Sequence, residues 1–171
     1  MSFRRGDCCE PEPCCRPACP DRTVAPLQAE FYQPFIVAGV PTPTLITAND
    51  QILPFTALGP ATPSFSSSSQ IVAVATPPGT SFRLPRRGLY RVSFNVTFAA
   101  ITLPPSGVGE VYLSLDGVLQ PQAEVAVVAA GSYGGLFLVR TTARNQLLSV
   151  RVADILGEAF GGNITIAYVG A

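Results

Sequence analysis

Residues 88–101, GLYRVSFNVTFAAI, carry the pattern that most restricts what this chain can fold into. Tyr90, Val92, Phe94, Val96 and Phe98 are large and apolar, while Arg91, Ser93, Asn95 and Thr97 between them are polar. A period of two is the period of a β-strand, so five large side chains point to one face and the other face stays wet. The rest of the chain after Thr23 repeats the theme. Helix-type periodicity is nearly absent, and Pro or Gly interrupts every ~8–15 residues, as in sandwiches and barrels. Val111, Leu113 and Leu115 alternate with polar neighbours and run into Asp116-Gly117, a pair suited to a tight hairpin. A return strand is expected over 118–128. Further strands are expected over 134–140, 146–153 and 163–169, and earlier ones over 28–37, 44–47, 52–55, 70–75 and 81–84. About ten short strands make an all-β fold, a two-sheet antiparallel jelly-roll sandwich.

Three segments depart from simple alternation. Ile71–Ala75, Val125–Ala130 and Leu136–Val139 are apolar at consecutive positions. A strand apolar on both faces must be covered on both. Either these are central core strands capped by loops, or a second subunit supplies the outer cover. Large exposed apolar patches are rare on monomers, which favours the second reading. It makes Ile71, Val72, Val74, Val125, Val127, Val128, Leu136, Phe137, Leu138 and Val139 candidates for a subunit interface.

The N-terminal segment differs in kind. All five cysteines, Cys8, Cys9, Cys14, Cys15 and Cys19, fall between residues 8 and 19, interleaved with Pro11, Pro13 and Pro17 and followed by Pro20. Proline disfavours helix and promotes extended geometry. Residues 1–26 therefore read as an extended Cys/Pro connector arm, and 27–171 as the jelly-roll domain. An odd number of cysteines leaves one without a partner in its own chain, which points to intermolecular disulfides. Two other readings stand beside it. One is a metal or cluster site, although the CC-x4-CC-x3-C spacing is not a zinc pattern; the other is a tail whose thiols do little. Disulfides would require an oxidising setting.

Charge and composition narrow the function. Eleven basic residues balance eleven acidic ones; all eleven are arginine, and there is no Lys, His or Trp. Charged residues make up 13%, about half the usual share. The balanced charge argues against nucleic-acid binding. So few charges give little repulsion between copies, so an assembly is expected. Without histidine, Ser-His and Cys-His nucleophiles are excluded. The domain's carboxylates are Glu30, Asp50, Glu110, Asp116, Glu124, Asp154 and Glu158, and their spacing asks for no glycosidase pair. Asp154 and Glu158 read as turn carboxylates rather than a calcium loop. Gly107-Val-Gly109 and Gly161-Gly162 lack the helix and lysine of a phosphate loop. No enzyme, cofactor or metal is expected. The strand arginines Arg91, Arg140 and Arg151 either pair with Glu110, Glu124 or Asp154 or mark the wet face. No apolar run reaches the ~18 residues of a membrane span, and the arginines near the start are followed by no apolar stretch of a secretory signal.

The run Phe82-Arg-Leu-Pro-Arg-Arg-Gly88-Leu-Tyr90-Arg-Val92-Ser-Phe94 resembles the signature of complement-type and tumour-necrosis-factor-like jelly rolls. The early Ile52-Leu-Pro-Phe55, the Val111–Gly117 hairpin and the closing Asn163–Tyr168 strand follow in matching order. The chain is similar in particular to the C-terminal domains of collagen-like exosporium glycoproteins and to the subunits of endospore appendages (pili). It departs from the exosporium glycoproteins in having no Gly-X-Y repeat, and from the wider jelly-roll family in Ala143-Arg-Asn-Gln146, where that family often has a Gly-Asp turn. The resemblance implies a homotrimer with both termini near one end, and a spore-surface or extracellular setting reached without a recognisable signal peptide. The expected function is a structural subunit whose trimers are joined head to tail by the Cys arm into a fibre or layer, with an anchoring surface protein as a further partner. The alternative is a trimeric recognition head binding a glycan or protein through loops at 104–107 and 131–133.

Overall fold

The computed structural model describes residues 27–33, 36–37, 40–41, 43–55 and 71–171. The connector arm, with all five cysteines, lies outside the described residues. Thirteen strands and no helix are found among those described. The first five are β1 (Gln28–Gln33), β2 (Ile36–Val37), β3 (Val40–Pro41), β4 (Thr44–Ile46) and β5 (Gln51–Ile52). Next come β6 (Val72–Thr76), β7 (Gly79–Leu84), β8 (Gly88–Thr102) and β9 (Gly109–Leu115). The last four are β10 (Val118–Val127), β11 (Gly131–Thr141), β12 (Gln146–Ala153) and β13 (Leu156–Gly170).

Two antiparallel sheets pack face to face. The first has the order β1-β13-β8-β11, with β4 also paired to β13. The second has the order β10-β9-β12-β7-β6, with β5 also paired to β12. After the β6–β7 hairpin the chain changes sheet at every connection except the β9–β10 hairpin, giving a jelly-roll-like sandwich. Strands β2 and β3 form a separate small ribbon.

The alternation in β8 explains the core. Tyr90, Val92, Val96 and Phe98 are nearly or wholly buried, with Phe94 only 4% exposed. Their neighbours on the same face are Val139, Phe137 and Gly135 of β11 and Tyr168, Ile166 and Ile164 of β13. The second sheet answers with Val111, Leu113 and Leu115 of β9 and Val152, Val150 and Leu148 of β12. Phe31, Phe55 and Phe82 close one side as an aromatic group, with Phe31 and Phe82 centroids 4.6 Å apart.

The short crossing from β7 to β8 is held from inside. Tyr90, fully buried, donates its hydroxyl to the Arg86 carbonyl at 2.9 Å and accepts from the Arg86 amide at 3.0 Å. The buried Thr141 hydroxyl accepts from the Gly88 amide at 2.8 Å and donates to the Arg86 carbonyl at 3.0 Å. Gly88 has φ 139°, and a Cβ there would lie 2.3 Å from the Gly170 carbonyl oxygen. Only glycine fits both demands.

The larger differences from the expected strands fall at four boundaries. The strand expected over 28–37 ends at Gln33, and Pro34 follows directly in sequence. Pairing over 52–55 stops at Ile52, although the Leu53 amide still reaches the Val150 carbonyl. β11 begins at Gly131 and β13 at Leu156, both earlier than expected. The first half of β13 pairs with β8 through register shifts near Ala159 and Gly162. These bulges erase the alternation by which the strand could be read.

Candidate functional site

The sandwich divides the expected interface residues by strand parity. In β11 the odd positions face inward and the even positions outward. Val139 is fully buried and Phe137 half-buried, stacked on Phe94 at 5.5 Å. Leu136 and Leu138 point away from the core and are 66% and 53% exposed. Val127 and Ile71 belong to the chain's own core, and Val125 packs against it. Val74 is half-buried, while Val72 and Val128 are exposed. The exposed members do not gather in one place. Val72 lies on β6, at an edge of the second sheet, and Val128 follows β10. Only Leu136 and Leu138 sit together.

Their surroundings come from the register of the first sheet. Leu138 opposes Arg91, which opposes Ala167, which opposes Gln28. Leu136, Ser93, Thr165 and Glu30 form the next row, and Gly134, Asn95, Asn163 and Tyr32 the one after. Further along, exposed Leu45 opposes Glu158. The outer face of the first sheet is thus built of small, uncharged and apolar side chains, with Arg91 and Glu30 the charges in these rows. The β13 residues of this face were not singled out from sequence. Their alternation, Thr165, Ala167 and Val169 against Ile164, Ile166 and Tyr168, was the available signal.

The centre of the outer face of the second sheet, over β9 and β12, is closed by its own polar side chains, while Val72 stays exposed at the β6 edge. Ser114 and Ser149 are buried and share a hydrogen bond of 2.7 Å. Arg151 donates from Nε to Ser114 Oγ at 3.0 Å and from Nη1 to the Asp50 carbonyl at 3.1 Å. The Tyr112 hydroxyl donates to Asp50 Oδ1. Burial, then the Asp50 hydrogen bond and the Asp50 charge, push the Tyr112 phenol up to about 12, against a smaller opposing pull from Arg151. A face whose polar groups satisfy one another offers little to a partner.

The remaining chemistry-bearing residues are separated. Glu110 is held above the usual carboxylate range, first by burial and then by Glu124 and Asp154. Asp154 sits in the turn before β13, where its amide donates to Asn49 Oδ1 at 2.8 Å, and Glu158 lies within β13. Among the described residues no group of three or more Cys, Asp or Glu is placed to hold a metal, and no helix is long and apolar enough to cross a membrane. Of the two loops expected to be apical, residues 104–107 form a turn closed by the Gly107 amide on the Pro104 carbonyl at 2.8 Å. Residues 131–133 are instead the start of β11, where Ser132 meets Thr97 at 2.8 Å. In comparisons with known proteins, no family model and no curated protein matches the chain.

Proposed function

We propose that this protein is a structural subunit. Its jelly-roll domains associate as trimers through the outer face of the first sheet. The N-terminal arm, carrying all five cysteines, locks neighbouring units by disulfides into a fibre or layer. The observation that supports this is the contrast between the two outer faces. One has Leu136 and Leu138 exposed side by side, with Ser93 and Arg91 opposite them, whereas the centre of the other satisfies its own polar groups. Two-thirds and half of two leucines, at ~1.5–3 kcal/mol for a fully buried side chain, give about 2–4 kcal/mol per subunit. Placement on a spore or cell surface rests on the resemblance to exosporium and endospore-appendage proteins. The cysteine distribution fits a permanent link: no thiol stands beyond Cys19, so the sandwich itself is free of disulfides.

The test is light scattering and negative-stain microscopy of the full chain with and without reductant, beside Leu136→Glu/Leu138→Glu. The reading expects a discrete oligomer in reductant, larger linked assemblies after oxidation, and loss of the oligomer in the double variant. A monomer under every condition overturns it.

A further inference from the structure

The charges of the sandwich are sorted by end. Both sheets share the same two ends, because short connections join them at each. At one end β7 passes into β8, β11 into β12 and β9 into β10. At the other β4 passes into β5, β8 into β9, β10 into β11 and β12 into β13. The described residues include seven arginines, and six lie at or near the first end. Arg86 and Arg87 are in the β7–β8 connection, Arg144 in the β11–β12 connection, and Arg83, Arg91 and Arg140 within four residues of these turns. Asp116, in the β9–β10 turn, and Glu30, one register row beyond Arg91, are the carboxylates on this side. The opposite end reverses the balance. Asp50 and Asp154 stand in its turns, and Glu110 and Glu158 at the starts of β9 and β13. Glu124 opposes Tyr112 in the half of β10 nearer this end. Arg151 is the cation here, and it is engaged with Asp50 and Ser114. Glu110, raised first by its own burial, is raised further by Glu124 and Asp154 nearby.

Each end also carries an apolar feature. At the arginine end the β9–β10 hairpin projects Val118 and Leu119, 65% and 40% exposed. At the carboxylate end an open cleft of about 280 Å³ is lined by Thr102, Leu103, Pro104, Ile155 and Leu156, with Asn49 and Asp154 beside them.

We infer that two copies of this chain stack end to end, the arginine end of one on the carboxylate end of the next. This rests on the reading of the protein as a self-assembling subunit and names a contact for it. The occupant is a second copy because the copy itself carries the complementary charge. Like ends repel, so a closed pairing through two identical ends is disfavoured. A head-to-tail contact with no closing rotation propagates into an open filament. In a trimer whose axis runs along the strands, three like ends lie side by side, so the polarity of one subunit becomes that of the trimer. The arm joins the sandwich at the arginine end, where the Leu27 carbonyl accepts from the Tyr168 amide. Cys19 is eight residues before Leu27, a reach of at most ~29 Å.

The test uses the full chain in reductant, so that only non-covalent contacts are read. One variant carries Arg83→Glu, Arg87→Glu, Arg140→Glu and Arg144→Glu, making both ends negative. A second carries Glu110→Lys, Glu124→Lys, Glu158→Lys and Asp154→Asn, making both ends positive. Circular dichroism checks that each is folded. Sedimentation and microscopy at ~50 mM and ~500 mM salt then read elongated assembly. The wild type is expected to elongate at low salt and lose this at high salt, because screening shortens the reach of surface charge to a few ångströms. Each variant alone requires at least about tenfold more protein to elongate, and an equimolar mixture recovers. Recovery is the decisive readout, since only folded variants can supply it. Two outcomes overturn the end contact: both variants elongating like the wild type, or folded variants failing to rescue each other. A wild type that elongates only after oxidation removes the end contact and leaves the structural-subunit reading standing. A wild type that never exceeds a monomer removes both.

Discussion

Tyr112→Phe isolates the network that closes the outer face of the second sheet. Tyr112 is 7% exposed, and its hydroxyl donates to Asp50. Its phenol ionises at about 12 in the folded protein against 10.0 ordinarily. A group whose pKa is raised by folding gives stability that is complete below the unfolded value and lost as pH rises through the folded one. The window is therefore pH 10 to 12. At pH 11 the unfolded phenol is about 90% ionised and the folded one about 10%, so the folding equilibrium falls about tenfold, or ~1.4 kcal/mol. The variant removes this alkaline loss. At neutral pH it gives up one hydrogen bond, about 1 kcal/mol, because exposed Asp50 can turn to water. Urea unfolding of the full chain in reductant, followed by circular dichroism at pH 8 and pH 11, measures both. The thiols and the other tyrosines titrate in wild type and variant alike and cancel in the difference. If the two proteins lose equal stability between pH 8 and pH 11, Tyr112 does not hold its proton against burial and Asp50, and the account of this face fails.

Two other changes test the same physics elsewhere. Thr141→Val leaves the Gly88 amide without its buried acceptor and should cost ~1–3 kcal/mol in urea unfolding; a neutral result would mean that the β7–β8 crossing does not depend on this hydroxyl. Glu110→Gln should stabilise the protein at pH 7. Glu110's raised pKa means that its contribution is fully present below the ordinary value of 4.5 and lost as pH rises above it. The gain should therefore vanish in thermal melts below that pH, and a gain unchanged at acid pH would contradict the cost of holding a charge at Glu110 against burial and its carboxylate neighbours.

Strand parity was the part of the fold most readily read from residues. The even positions of β8 are where alternation puts them, because the strand runs straight past β11 in regular register. Where a bulge intervenes, parity changes without a mark in composition. Ala159 and Ile164 of β13 both face the core although they are five residues apart, so no single period spans them. The consecutive apolar runs were informative only once parity was known. Val139 and Leu138 look alike in sequence, yet one is fully buried and the other 53% exposed. The cysteines of the arm signal their chemistry by crowding alone, and their pairing depends on partners that sequence distance does not encode.

The sorting of charge by end was hidden for a different reason, and it follows from antiparallel topology. In such a sandwich alternate turns fall at alternate ends. The turns at 48–50, 103–108 and 154–155 share one end, and those at 85–87, 116–117 and 142–145 the other. Along the chain the sign of charge changes in step with the turns. It is negative at Asp50, positive from Arg83 to Arg91, negative at Glu110, positive at Arg140 and Arg144, and negative at Asp154 and Glu158. Asp116 breaks the alternation, and both its oxygens are held within its own chain, by the Leu147 amide and the Gln146 side chain, both at 2.8 Å. Arg151 breaks it at the other end and is likewise held, by Asp50 and Ser114. Glu30, in the half of β1 nearer the arginine end, is a third exception and accepts from Asn163 Nδ2 at 3.5 Å. The three exceptions thus have local partners. The remaining charges alternate with a period of one strand, and that period becomes an axis only when the strands fold against one another. A balanced total of eleven and eleven therefore conceals a molecule with two unlike ends, and it is ends rather than totals that a neighbouring copy meets.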